Sequence, residues 1–126
     1  MPILTAPQKS TAAFPGRVAA KAVVNAAREM DLTQRELARA IGVSEATVTR
    51  MKDGGHELEG KPLELALCLI RVFRSLDAIA GGDAATIRGW MKNPNSLLGG
   101  IPKVLVTSAT GLIETMQYLD SARAPT

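Results

Sequence analysis

The segment 33–53 constrains the fold of this chain more than any other. Thr33 and Glu36 have the spacing of a capping box, in which each side chain can bond the backbone amide of the other residue. Gly42 suits a helix end that needs positive φ, and Ser44 is a favourable N-cap for a following helix. This pattern predicts two short helices that are joined by a tight turn.

The same segment predicts that the two helices cross at a steep angle. Such a crossing needs a small residue where the helices touch, and Ala38 lies at the required position. The residues predicted to point inward are Leu37, Ile41, Val43, Val48 and Met51. The residues predicted to point outward are Glu45, Ala46, Thr49 and Arg50. Since the residue types at many fixed positions meet the requirements of a helix-turn-helix, the segment is interpreted as such a unit.

The rest of the chain shows helical periodicity and no period-two alternation between hairpin turns, which predicts an all-α fold. The predicted helices are 17–31, 34–41, 45–52, 62–79, 84–92, 102–106 and a last helix from a cap at Thr107 or Ser108 to about residue 121. The fourth helix is apolar nearly all round, so it is either a central helix or partly buried in a dimer interface. The predicted domains are a flexible arm (1–16), a helix-turn-helix bundle with the central helix (17–80), a helical domain (81–121) and a tail (122–126).

Composition excludes several classes of function. The chain has one cysteine and one histidine, which leaves no material for a disulfide framework or a Cys/His zinc site. It has no phosphate loop and no carboxylate pair on a shared apolar face, so no enzymatic activity, catalytic residue, metal or cofactor is predicted. The N-terminus lacks the pattern of a secretory signal, and the longest strictly apolar run is 65–70, which predicts a cytoplasmic protein.

The positive charge is concentrated in the first part of the chain. The formal net charge of +3 divides into +4 for residues 1–52, −1 for residues 53–76 and zero for residues 77–126. A local basic excess indicates a polyanionic partner on that side of the molecule.

The stretch 32–50 resembles the phage-repressor-like (Xre/Cro) DNA-binding family. The resemblance implies that the second helix of the unit lies in the major groove. There Arg50 could contact a guanine edge or a phosphate, Glu45 could accept from a cytosine amine, and Thr49 and Ala46 could contact a thymine methyl. The candidate DNA-binding residues, including backbone contacts, are Gln34, Ser44, Glu45, Ala46, Thr49, Arg50 and Lys52.

The second half of the chain carries a different pattern. Its residues are, in order, Trp90, Pro94-Asn95, Leu98-Gly99, Pro102, Leu105, Thr107, Gly111 and Leu119. This pattern resembles the toxin-binding domain of the MbcA/ParS/Xre antitoxin family. The resemblance implies a type II antitoxin of the RES-Xre kind, which binds a RES-domain, NAD-consuming toxin, obstructs its substrate pocket with the C-terminal region and represses its own operon. The candidate toxin-binding residues are Tyr118, Ser121, Ala122, Arg123, Ala124, Pro125 and Thr126.

One recognition helix reads only a short half-site, so we expect a homodimer that binds an inverted repeat and joins the toxin in a higher hetero-oligomer. A stand-alone Xre-like repressor is the alternative, although it leaves the pattern from Trp90 to Leu119 unexplained. An antitoxin that no longer binds DNA is a third possibility. From the residues alone, Trp90 is predicted to be a core anchor. Gly111 is predicted to lie where a side chain would not fit against the neighbouring helix.

Overall fold

A computed structural model describes the backbone of residues 5–123 and the side chains of residues 16–123. In this range the chain forms seven helices and no strand, apart from an isolated bridge between Asn95 and Gly100. The helices are α1 (Thr5–Glu29), α2 (Gln34–Ile41), α3 (Glu45–Lys52), α4 (Gly60–Ala80), α5 (Ala84–Lys92), α6 (Pro102–Leu105) and α7 (Ala109–Arg123). The predicted all-α fold is confirmed.

The first helix differs from the sequence prediction. The apolar periodicity placed its start near Arg17, whereas α1 begins at Thr5, so much of the predicted arm is helical. Pro7 is compatible with this because it lies in the first turn, where backbone amides have no intrahelical acceptor. At Gly16 this helix passes close to the loop before α4: the Leu58 amide donates to the Gly16 carbonyl at 3.2 Å, and a Cβ at Gly16 would lie 2.6 Å from the Leu58 carbonyl oxygen.

The last helix also extends further than predicted. It runs to Arg123, so Ala122 and Arg123 belong to α7 rather than to a tail. Arg123 in the last turn interacts favourably with the negative end of the helix dipole. Residues 124–126 lie outside the described residues.

Helix α4 lies at the centre of the molecule, which is one of the two alternatives that its all-round apolar pattern left open. It contacts α1, α2, α5 and α7, and Leu69, Val72 and Leu76 on it are almost fully buried. A bidentate ion pair joins α4 to α7. Arg71 Nη2 lies 2.9 Å from Asp120 Oδ2, and Arg71 Nε donates to Asp120 Oδ1 at 3.1 Å. The helices on both sides of α4 are therefore fixed to one common element. Among the described residues, no helix is both long and apolar enough to cross a membrane.

Candidate nucleic-acid interface and toxin-binding surface

The ends of α2 and α3 are fixed by the side chains that the sequence predicted. Thr33 and Glu36 form a complete capping box, with the Glu36 amide donating to Thr33 Oγ1 at 3.0 Å and the Thr33 amide donating to Glu36 Oε1 at 2.8 Å. Gly42 ends α2 with φ 76°, a left-handed conformation that favours glycine. Ser44 then caps α3 by accepting from the Thr47 amide at 3.0 Å. Local chemistry therefore sets the length of both helices and the turn between them.

The two faces of α3 are sharply divided. Val48 and Met51 are buried under α1 and α2, and Thr47 is also buried. The four residues on the opposite face are solvent-exposed, as predicted: Glu45, Ala46, Thr49 and Arg50. The exposed face of α3 therefore carries an acceptor, a methyl group, a hydroxyl and a guanidinium, which are the chemical groups that can read base edges in a major groove.

Gln34 connects the start of α2 to the exposed face of α3. Its Nε2 donates to the Glu45 carbonyl at 3.0 Å and to Thr49 Oγ1 at 2.9 Å, while its Oε1 accepts from Lys52 Nζ at 2.8 Å. The side chain of Gln34 thus holds Thr49 and Lys52 in place. The sequence identified these three residues as separate contacts and missed the bonds between them, because the bonded pairs are 15 and 18 residues apart.

Arg50 lies along its own helix rather than extending freely from it. Its Nη2 donates to Thr47 Oγ1 at 3.0 Å, and the Thr47 and Ser44 hydroxyl oxygens are 3.0 Å apart. The Ser44 hydroxyl is committed to the cap, so its main role here is to orient α3. Arg50 is exposed and uses one of its N–H donors in this bond, which leaves the others free for a ligand.

The charges of the helix-turn-helix unit are unequally paired. Arg35, Arg39, Arg50 and Lys52 are exposed, and within residues 16–123 none of them forms a salt bridge. Glu36 is the acidic residue of α2, and Lys103 Nζ lies 3.2 Å from its Oε1. The unit therefore presents unneutralised cations, as a polyanion-binding surface requires.

The second candidate surface lies on α7. Glu114, Gln117, Tyr118 and Ser121 share one face of this helix and line a surface cavity of about 350 Å³ together with the turn at Leu97 and Leu98. The Tyr118 ring stacks on Trp90 with the ring centroids 6.3 Å apart and the planes 19° apart. Trp90 is half-buried against the core, so this residue, predicted as a core anchor, supports the ring of Tyr118, which was predicted to contact the toxin.

Leu97 was missed as a candidate. Its side chain is 80% exposed, more than any other large hydrophobic side chain in the described residues. Contiguous exposed apolar groups are typical of contact surfaces, and Leu97 lines one surface cavity together with Leu98 and Tyr118. The pair of adjacent leucines between Pro94-Asn95 and Gly99-Gly100 was the available signal in the sequence.

The C-terminal candidates are placed only in part. Ser121 and Ala122 are exposed on the last turns of α7. Arg123 is also exposed, but its Nη1 donates to Ser75 Oγ at 3.1 Å, so its guanidinium rests against α4. Ala124, Pro125 and Thr126 lie outside the described residues.

The fold and these surfaces define an all-helical protein with a helix-turn-helix unit and a second helical domain. Two family models match it: the antitoxin Xre-like helix-turn-helix domain at residues 11–71, and the antitoxin Xre/MbcA/ParS C-terminal toxin-binding domain at residues 75–124. No curated protein matches the chain. The two matches succeed one another in a single chain, and the chain belongs to the Xre-type antitoxins.

It is accordingly a type II antitoxin with a DNA-binding domain and a toxin-binding domain. Neither of the matched families is a family of enzymes. A stand-alone repressor would not account for the toxin-binding match. The boundary between the two matches falls inside α4, between residues 71 and 75, so both domains share one uninterrupted helix.

Proposed function

We propose that this antitoxin neutralises a RES-domain, NAD-consuming toxin by placing the C-terminal end of α7 in the substrate pocket of the toxin, and that it represses its own operon as a cytoplasmic homodimer. The observation that carries the proposal is the order of the two matched domains, with an exposed end of α7 in the second. The operator is an inverted repeat, and the toxin joins the antitoxin dimer in a hetero-oligomer.

Arg123 is the proposed plug. A guanidinium is a permanent cation with five N–H donors, which suits the phosphates and carboxylates of a pocket that binds NAD. Its bond to Ser75 is a single hydrogen bond to the hydroxyl of a buried serine, worth about 1–3 kcal/mol. The side chain can leave α4 and extend with residues 124–126 into the toxin when its contacts in the toxin pocket exceed this cost.

The test is co-expression with the RES-type toxin encoded next to the antitoxin gene, with pull-down and cellular NAD as separate readouts. Arg123→Ala and deletion of residues 122–126 should preserve the complex and lose protection of NAD. Lys61→Ala removes another exposed cation, at the start of α4, and should behave as wild type. Full protection by the deletion variant would overturn the plug, and absence of any complex would overturn the choice of a RES toxin.

The exposed turn at Leu97 and the α7 face beside it are the proposed docking surface, with Tyr118 and Ser121 in contact with the toxin. Leu97→Asp places a charge in the middle of this surface and should abolish the pull-down. Ile79→Asp puts the same charge on a half-exposed isoleucine near the end of α4, outside that cavity, and should keep the complex. Equal binding by both variants would exclude this surface.

On DNA, the exposed face of α3 reads bases while Gln34 and Lys52 position the helix on the backbone. Arg50→Ala removes a side chain that can contact a guanine with two N–H donors and should weaken operator binding by about 1–3 kcal/mol, or roughly 5- to 150-fold. Thr49→Ala removes a single contact and should weaken operator binding by a smaller factor. Lys61→Ala removes a cation outside this face and should change affinity little at the same salt concentration. Unchanged affinity in both α3 variants would mean that α3 is not the recognition helix.

The proposed dimer uses the apolar groove between α1, α4 and α7, and its occupant is a second copy of the chain. Val18 and Leu67, on the wall of this cavity of about 520 Å³, are 48% and 49% exposed. A second copy is required because one α3 reads one half-site only. Leu67→Glu should give a monomer in sedimentation analysis, whereas Leu97→Glu should stay dimeric; a monomeric wild type would overturn the proposal.

A further inference from the structure

A polar cleft lies between the helix-turn-helix unit and the toxin-binding domain. Its walls are the C-terminal end of α1, the start of α2, Lys52 at the end of α3, and Arg88 from α5. Its volume is about 230 Å³. Gln34, which organises the exposed face of α3, forms part of the same wall. The cleft is therefore continuous with the surface that is proposed to bind DNA.

Three cations converge on this cleft. They are Arg28, Lys52 and Arg88, against a single carboxylate, that of Asp31. None of the three cations forms a salt bridge within the part of the chain whose side chains are described. Lys52 donates to Gln34 Oε1 and Arg28 donates to Asn25 Oδ1, so both are held in place by neutral partners that leave their charge uncompensated.

Arg88 is oriented towards the cleft by the end of α1. Its Nε and Nη2 approach the Glu29 and Arg28 carbonyls at 3.5 Å, which are long and weak bonds. A guanidinium has five N–H donors in a planar fork, so donors remain for a second acceptor. The opposite wall is the N-terminal end of α2, which carries the positive end of the helix dipole, although its Glu36 amide is already bonded to Thr33.

We propose that this cleft binds one phosphate of the DNA backbone, and that Arg88, a residue of the toxin-binding domain, is one of the cations that hold it. The inference rests on the proposed DNA binding by α3 and adds to it, since DNA contacts would then come from both matched domains. A phosphodiester suits the cleft because it carries one negative charge and two exposed oxygens, against a net excess of two cationic side chains.

The test measures binding of the full chain to a duplex from upstream of its own gene, by fluorescence anisotropy over a series of salt concentrations. Arg88→Gln should weaken binding about tenfold and reduce the slope of log K against log salt by about 0.9 per protomer. Lys92→Gln removes the same charge from the same helix outside the cleft and should stay within about twofold of wild type. Arg88→Lys keeps the charge and should keep the slope.

The outcomes separate this inference from the proposed function. If Arg50→Ala weakens binding but Arg88→Gln matches Lys92→Gln, the phosphate cleft is wrong and the recognition helix stands. If the wild type binds no DNA, both the phosphate cleft and the proposed DNA binding by α3 are overturned. If Arg88→Gln lowers thermal stability, Arg28→Gln takes its place, and a wild-type salt slope in that variant overturns the inference.

Free phosphate is the other source of the same chemistry. Inorganic phosphate should raise the melting temperature of the wild type no more than that of Arg88→Gln. A phosphate effect that depends on Arg88, together with unchanged DNA affinity in Arg88→Gln, would assign the cleft to a free anion and overturn the DNA contact.

Discussion

Replacing Gly111 by alanine should destabilise the protein although alanine is the better helix former. Gly111 lies in the first turn of α7, where that helix meets the end of α6. A Cβ there would overlap the Leu105 carbonyl oxygen and lie 2.9 Å from the Leu105 carbonyl carbon and 3.0 Å from Ser108 Oγ. Two of these atoms are backbone, so no rotamer change relieves the overlap and α7 must move away from α6.

The expected magnitude follows from two opposing terms. Glycine to alanine in a helix gains at most about 1 kcal/mol, whereas overpacking a close contact costs typically 1–3 kcal/mol and more against rigid atoms. We expect Gly111→Ala to lower the free energy of unfolding by about 2 kcal/mol, which corresponds to a fall of roughly 8 °C in melting temperature for a domain of this size. Chemical denaturation and calorimetry at fixed protein concentration would measure it.

Gly89→Ala is the matched control. Gly89 lies inside α5, and a Cβ there would meet only Asn93 Nδ2 at 4.0 Å, an ordinary contact distance. This variant should therefore gain about 0.5–1 kcal/mol from helix propensity alone. The same substitution thus has opposite signs at two helical glycines. Equal stabilisation by both variants would refute the packing of α7 on the Leu105 carbonyl.

Three further predictions concern individual side chains. Thr33→Ala removes half of the capping box and should cost about 1 kcal/mol of stability in denaturation experiments, with Thr33→Ser close to wild type. Partial burial raises the pKa of the Cys68 thiol, although Arg71 opposes this, so its rate of alkylation should rise with pH to a midpoint above that of a free cysteine. Asp83 caps α5, and its hydrogen bonds from Thr86 lower the pKa of its carboxyl group. The stability that this cap contributes should therefore be complete above pH about 4 and be lost as the pH falls through the lowered pKa. The difference in unfolding free energy between the wild type and Asp83→Ala should accordingly become smaller at acid pH.

The helix ends were predictable because they depend on local chemistry. The caps at Thr33, Ser44 and Asp83 each bond an amide three residues ahead, so the sequence contains the whole interaction. Gly42 was identifiable for the same reason, since the left-handed conformation restricts the residue type at one position. Gly111 shows the same logic at a helix–helix contact, where the sequence predicted that a side chain would not fit and the structure confirms it.

The early start of α1 could not be predicted from periodicity. Residues 1–15 contain no sustained apolar run and were interpreted as a flexible arm. Proline is tolerated in the first turn of a helix, so Pro7 is compatible with the start of α1 at Thr5. Apolar periodicity reports only the part of a helix that packs on a core, and the recognisable pattern begins near Arg17.

The bonds between domains were invisible to the sequence because they join distant residues. Lys103 from α6 pairs with Glu36 and donates to the Asp31 carbonyl, 72 residues away. Arg88 reaches carbonyls 59 and 60 residues away. Each of these residues alone is an ordinary surface cation on a short helix. In the fold, α5 contacts α1, and the Lys103 side chain connects α6 to Asp31 and Glu36.

These contacts bear directly on how toxin and DNA could influence each other. Lys103 and Glu36 are each only about a quarter exposed, so their ion pair is better shielded than a fully exposed one, and Glu36 also closes the capping box at the start of α2. A toxin that shifts α6 would therefore act on the same carboxylate that caps α2, the helix that begins at Gln34. Since coupling between two binding sites is reciprocal, a toxin-induced change in operator affinity must equal the operator-induced change in toxin affinity. Lys103→Ala should leave both single affinities near wild type and reduce that common factor, whereas an unchanged factor would show that the ion pair carries no coupling.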